Sequence, residues 1–236
     1  MDQIKVELQE WLGSDRSIAE SAWTSSSDYQ KKKQRTDEDV KRVINMLADS
    51  KHSVPFESVV LRFWIKLPIA ADRHMMTHRI SSQSGMSARY RTMPHEYLEF
   101  ANDVEEITSK FTSYWGYYNT TQYEFMQEYY NVCESANNSY RTALDNAKKA
   151  EKEGKITNSE YKRIREFMRG MLPQHNMTER VIVINLRSFS NFIKLRDSEH
   201  AQPEIRYVAQ LMLKAVETAN VCPEAIAALK RNNWVI

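Results

Sequence analysis

Glycine is scarce: five in 236 residues, against a usual share of about 7%. No two stand in G-x-G spacing, so neither a Rossmann fingerprint nor a Walker loop is present. Any nucleotide phosphate must be held by something other than a glycine-rich loop. Only two cysteines occur, Cys133 and Cys222, far apart and in no metal-ligand spacing, which excludes a disulfide framework and a cysteine-based zinc site. No apolar run approaches the roughly 18–20 residues that a membrane-spanning helix needs. The opening MDQIKVELQEW shows no apolar core of a secretory signal. The expectation is a cytoplasmic, reducing location, in a bacterium or a virus-infected host cell, with no membrane partner. Charge of one sign is also lacking. Lys+Arg is 33 and Asp+Glu 31, a net +2. That argues against a polybasic nucleic-acid arm, and hence against a helical nucleic-acid binder using the arginine-rich loop at 73–89. No nucleic-acid partner is expected.

What is present is ordinary for a globular chain, 42% hydrophobic and 27% charged, and the length suits a single domain over 1–236. Residues 3–8 alternate weakly and read as a strand. Ser17-Ile-Ala-Glu20 fits a capping box for a helix near 15–24. Thr36 precedes Val40, Val43, Ile44 and Leu47, the spacing of an amphipathic helix. Val59, Leu61, Phe63, Ile65 and Leu67 alternate with polar or outward residues up to Pro68, which gives a strand. Residues 69–78 look helical. The segment 80–93 is polar and serine-rich and reads as a loop. Residues 103–150 read as helix with a break around 114–121, followed by a helix at 158–170. RVIVINL (180–186) is a second strand candidate, with helices at about 187–195, 203–219 and 223–231. Strands and helices mix without βαβ rhythm. The class is α+β, with a central mixed or antiparallel sheet flanked by helices.

Two clusters could carry chemistry. The first runs from Arg73 and His74 through Thr77, His78 and Arg79 to Ser87, Ala88, Arg89 and Tyr90. Guanidinium forks, hydroxyls and loop amides are what a phosphate requires. Composition alone favours a solvated polar loop over a phosphate site. His74 and His78 stand four apart, but no acidic residue lies between them as in H-E-x-x-H, and no metal is expected. The second cluster is Asn185, Arg187, Asn191, Leu195, Arg196 and His200. On a helix Arg187, Asn191 and Leu195 share one face. That face suits a ligand with carbonyl, amide or phosphate groups, or equally a decorated surface helix. No G-x-S-x-G occurs and neither cysteine has a histidine neighbour in sequence, so a nucleophilic triad has no support.

Taken together the segments resemble the flavin-dependent thymidylate synthases. The family signature is R-H-R, seven residues, then S; here Thr77-His78-Arg79 and Ser87 stand in those places. His52-Ser-Val-Pro55-Phe56-Glu57 resembles H-x-T-P-F-E, and Phe63-Trp-Ile-Lys66-Leu-Pro68-Ile resembles F-x-x-K-x-P-I. Arg169-Gly-Met-Leu-Pro173 resembles R-x-x-L-P. Asn185–Arg196 with His200-Ala-Gln202-Pro-Glu204-Ile resembles N-x-R-S-x-x-N-F-x-x-L-R followed by H-A-Q-x-E-I. The resemblance covers 52–90 and 169–205; residues 95–165 are not matched.

The resemblance implies reductive methylation of dUMP to dTMP by a methyltransferase without a cysteine nucleophile. The carbon donor would be methylenetetrahydrofolate, FAD the cofactor and NADPH the reductant, in a homotetramer with shared active sites. Carried over by residue, Arg196 is catalytic and faces the uracil. His74, Ser87, Ala88, Arg89 and Arg169 join it in holding dUMP. Val54, Thr77, His78, Arg79, Gly85, Asn185, Arg187, Asn191 and His200 hold FAD. Thr77 stands where the family has an arginine, Gly85 where a glutamate is usual, and Val54 where a threonine is usual. These departures imply weakened FAD or dUMP binding. They also leave room for a member that hydroxymethylates or only binds its ligands.

Overall fold

The computed structural model describes residues 1–26, 28–99, 101–110 and 122–234. The expected break at 114–121 lies outside them. Four strands form one sheet: β1 (Lys5–Leu12), β2 (Val60–Pro68), β3 (Ser82–Gly85) and β4 (Met177–Asn185), in the spatial order β1-β2-β4-β3. β1 pairs antiparallel with β2, shifting register between Leu8 and Glu10, and β3 pairs antiparallel with β4. Leu186 N–H donates to Val59 O at one end of the β2–β4 pair, and Ile69 N–H to Asn176 O at the other. That makes this pair antiparallel too. The sheet is therefore antiparallel throughout, the second of the two arrangements expected.

The alternation in β2 and β4 is a burial pattern. Leu61, Phe63, Ile65 and Leu67 are buried while Val60, Arg62, Trp64 and Lys66 are not; Ile182 and Ile184 repeat the pattern in β4. A period of two puts each set on one face.

The helices are α1 (Asp15–Trp23), α2 (Tyr29–Lys33), α3 (Asp37–Asp49), α4 (Ile69–Met76), α5 (Asn102–Thr108), α6 (Gln122–Lys152), α7 (Asn158–Met168), α8 (Leu186–Arg196), α9 (Pro203–Thr218) and α10 (Pro223–Arg231). Thr36 caps α3, with Asp39 completing the box. The cap of α1 is Ser14 rather than Ser17. Ser17 sits at the third helical position, and its Oγ accepts from Ser14 N–H. The segment 80–93 is not all loop, because it contains β3.

The chain resolves into two compact units. One comprises 2–67, 71–85 and 179–236. It holds β1, β3 and most of β2 and β4, with α1, α3, α8, α9 and α10. Its core brings Phe63 against Phe189, ring centroids 6.0 Å apart and 14° from parallel, worth about 0.5–1.5 kcal/mol beyond area burial. α9 packs on β1, and α8 packs on α9. The other unit comprises 68–70 and 86–178 with Met1. α6 packs on α7 there, around Ala88, Met93, Tyr140, Leu144 and Leu172. In that core the Asn137 and Asn176 side-chain amides are buried and bond reciprocally, at 3.0 and 2.7 Å. Buried amides without such partners would be costly.

Candidate active site

β4 ends at Asn185, whose Oδ1 accepts from Ser188 N–H at 2.8 Å and so starts α8. α8 buries Leu186, Phe189, Phe192 and Ile193. Helical spacing then turns Arg187, Asn191, Lys194 and Leu195 outward on the opposite face. That face lines a cleft of about 530 Å³, completed by Thr77, His78, Arg79, Ile80, Ser188, Arg196 and Trp234. The lining carries the cations Arg79, Arg187, Lys194 and Arg196. No carboxylate appears among its described residues.

Arg196 is held at two points. Its Nε donates to His78 Nε2 at 3.0 Å and its Nη2 to Thr77 Oγ1 at 3.2 Å. The Thr77 hydroxyl in turn donates to His74 O at 2.7 Å. Because His78 Nε2 accepts, the ring is neutral with its proton on Nδ1. Burial, then the Arg196 charge, then His74 hold its pKa down to about 4. Its ring also stands edge-on to Phe192, centroids 4.8 Å apart. A neutral imidazole can accept from a guanidinium where an imidazolium would repel it. Arg187 is tied to Glu57, Nη1 to Oε1 at 2.6 Å, with both side chains more than two-fifths exposed.

The remaining expected residues lie elsewhere. Val54, 67% exposed, lines a second cleft of about 560 Å³ with His52, Trp23, Met46 and Pro55. His200 is exposed in the turn between α8 and α9, its N–H donating to Ser198 Oγ. Gly85 lies on β3 opposite Arg180, outside the cleft's lining. Asn185 serves as the cap of α8, also outside that lining.

Ser87, Ala88, Arg89 and Arg169 belong to the other unit. There Ala88 is buried. Arg89 Nε donates to Glu166 Oε1 at 2.7 Å, and Ser87 Oγ accepts from Arg89 N–H at 3.3 Å. Arg165 donates to Arg89 O and to the Tyr161 hydroxyl. Arg169 stands exposed where α7 ends.

Sequence reasoning missed Lys194, Ile80 and Trp234 in the cleft, and the partners Glu57 and Glu166. Lys194 could have been found, since it lies seven residues after Arg187 on the same helical face. Trp234 carries no local signal. Both cysteines are buried. Burial raises the thiol pKa of each, that of Cys222 to about 12, so neither is poised as a nucleophile.

An antiparallel α+β sheet whose helix-borne arginines face a cationic cleft defines a broad class, and likeness to known proteins narrows it. The profile of the thymidylate synthase complementing protein family matches residues 7–224. The flavin-dependent thymidylate synthase of Rickettsia bellii is 32% identical over 222 residues, spanning 92% of this chain and 73% of that protein. That of Treponema denticola is 29% identical over 233 residues, spanning 98% and 81%. The crystal structure of a UMP/dUMP methylase, PolB, from Streptomyces cacaoi bound with 5-Br dUMP shares the fold, with a TM-score of 0.76 at 24% identity. It covers 98% of this chain and 97% of that one. The class is that of flavin-dependent methyltransferases, and the chain belongs to the thymidylate synthase complementing protein family, as the motif resemblance implies.

Proposed function

We propose that this protein is a flavin-dependent thymidylate synthase that methylates dUMP to dTMP, with methylenetetrahydrofolate as carbon donor and NADPH as reductant. The observation that carries the reading is the cleft. Four cations and an amide line it with no carboxylate among the described lining residues; of the cations, Arg187 is paired with Glu57 outside that lining, and Arg196 is already anchored by Thr77 and His78. Such a surface favours a polyanion. The donor set fits FAD, whose diphosphate needs cationic forks in place of a glycine-rich loop.

His78, Arg79, Arg187 and Asn191 in the cleft, with Asn185 capping α8, are the residues we assign to FAD. Val54, Thr77, Gly85 and His200 complete the set that the family pattern gives. Bound FAD, once reduced by NADPH, would supply the hydride that turns the transferred carbon into a methyl group. Arg196 binds the pyrimidine and stabilises negative charge developing on it. A guanidinium already fixed by two acceptors spends no reorganisation when that charge appears. His78 stays neutral near pH 7 and so keeps accepting from Arg196. His74, Ser87, Ala88, Arg89 and Arg169 are assigned to the dUMP phosphate. In one unit the Glu166 carboxylate holds the Arg89 fork in place. The assembly we propose is a homotetramer with shared active sites, in the cytoplasm. Among the described residues no helix is long and apolar enough to cross a membrane.

An anaerobic assay with dUMP, methylenetetrahydrofolate, FAD and NADPH, read by mass of the nucleotide, tests the reading. dTMP is the expected product. A hydroxymethylated pyrimidine, or binding of FAD and dUMP without turnover, would replace it with an altered family member.

A further inference from the structure

In the same unit as the cleft lies a part-buried polar network. Arg180 on β4 is 8% exposed, and its Nε and Nη2 both donate to the Asp72 carboxylate, the second at 2.7 Å. An ion pair at this depth loses hydration on both partners. Its attraction offsets that loss only when the remaining donors are also satisfied. The next donor, Nη1, reaches Gln83 Oε1 at 3.1 Å. The guanidinium has no acceptor, so the amide of Gln83 can present only its oxygen to it. Its Nε2 must then face the other way. There it lies 3.1 Å from Met75 O, 3.1 Å from His78 O and 2.7 Å from Ser81 Oγ, and Ser81 Oγ itself donates to His78 O at 2.6 Å. The network thus starts at a buried charge pair and ends on the backbone of His78. Gly85 permits it. Gly85 pairs with Arg180 in the sheet, and a Cβ at that position would lie 3.3 Å from Arg180 Nη2, tight for a guanidinium already clamped by Asp72.

We propose that Gln83, oriented by the Asp72–Arg180 pair, is a positioning residue for the cleft. Its amide ties the end of α4 to the His78–Ser81 turn, so that the His78 ring and the Thr77 hydroxyl meet Arg196. The inference rests on reading Arg196 as the guanidinium that serves the pyrimidine. Gln83 lies outside the cleft's lining and acts only through the turn.

The test uses the full chain without ligands. The ring nitrogens of His78 are followed by NMR as pH is lowered, in the native chain and in Gln83→Leu. Leucine keeps much of the volume and removes both halves of the amide's role. His78 faces Arg196 from α8 and His74 from α4, and neither charge is altered by the substitution. If Gln83 positions the turn, the variant still unfolds cooperatively. His78 then titrates nearer the ordinary histidine value, its tautomer preference relaxes, and FAD binds about five-fold more weakly, as expected for the loss of one neutral hydrogen bond in the turn. A residue that merely stabilises the sheet would lower the denaturation midpoint and leave His78 unmoved, which overturns the proposal. The double variant Asp72→Leu/Arg180→Met removes the orienting pair and replaces it by apolar side chains, a replacement that folded proteins commonly tolerate. It should move His78 in the same direction by less. Should Gln83→Leu fail to fold, the double variant decides, and an unmoved His78 there overturns the proposal. A native chain that takes up no FAD would sink the functional reading while leaving the His78 comparison intact. FAD uptake with an unmoved His78 would sink this inference alone.

Discussion

Replacing Thr77 by Arg restores the first arginine of the signature and sets two effects against each other. The cleft already presents Arg79, Arg187, Lys194 and Arg196. A further cation about 4 Å from a phosphate gains about 1 kcal/mol in water and about 4 kcal/mol in a surface environment of lower dielectric. Thr77 is exposed, so the lower part of that range applies, about 1–2 kcal/mol, or a 5- to 30-fold gain in FAD affinity. Against this, the substitution removes the hydroxyl 3.2 Å from Arg196 Nη2 and sets a second guanidinium beside it. A hydrogen bond to a charged group is worth about 1.5–3 kcal/mol when buried; exposure at this pair discounts it to about 1 kcal/mol. FAD should therefore bind more tightly, with a steeper salt dependence, while kcat falls about five-fold because Arg196 keeps only its His78 anchor. Flavin fluorescence titrations at two ionic strengths and steady-state rates of dTMP formation measure both. Thr77→Val is the control. It loses the anchor without adding charge, so kcat should fall with no gain in FAD affinity. Thr77→Arg with no gain in FAD affinity would refute the idea that this position faces the cofactor's phosphates.

Three further outcomes follow from the geometry. The folded pKa of His78 is about 4 against an ordinary 6.5, so the unfolded chain takes the proton first. Stability present above pH 6.5 is lost as pH falls toward 4, and urea midpoints should drop over that window in the native chain and drop less in His78→Asn. Asp15 accepts from the Glu224 and Ala225 amides at 3.1 and 2.9 Å and so caps α10; Asp15→Ala should cost about 1–2 kcal/mol in chemical denaturation. Burial raises the Asp15 pKa despite those bonds. Its contribution therefore weakens as pH rises through that pKa, and Asp15→Asn should both cost less than alanine and remove this dependence. Gly13 has φ +98°, and a Cβ there would lie 2.9 Å from Ser58 O. Gly13→Ala should cost about 2–3 kcal/mol, whereas Gly154→Ala, at φ +71° with nothing within 4 Å, should cost about 1 kcal/mol; thermal denaturation separates the two.

Parts of this fold are legible because burial imposes a period. β2 and β4 alternate in sequence as they do in exposure. α3 follows from Thr36 and its apolar stripe, and α8 from the spacing of Arg187, Asn191 and Leu195, all three of which line the cleft. β3 was not legible. Its residues SQSG carry no apolar alternation, and it exists because β4 offers an edge to pair with. Arg180 stands just before the apolar run Val181–Ile184, and nothing nearby in sequence names Asp72, 108 residues away, as its partner. Nor does any local pattern bring Thr77 to Arg196, 119 residues further on.

The strand that sequence pattern misses is the one that builds the site. β3 pairs Ser82 with Val183 and Gly85 with Arg180, so the turn just before β3 is delivered to the end of β4 where α8 begins. Thr77 and His78 can meet α8 only in that register. A slip of one residue would also reverse which face each β3 side chain takes. It would carry Gln83 to the face opposite Arg180. Gln83 and Gly85 lie on one face of β3, and Ile182, the partner of Gln83, lies two residues from Arg180 on β4. Such diagonal neighbours are within reach of long side chains. A strand too polar to fix its register by burying an apolar face is thus keyed by one amide and one missing side chain. The same key holds the turn that anchors Arg196.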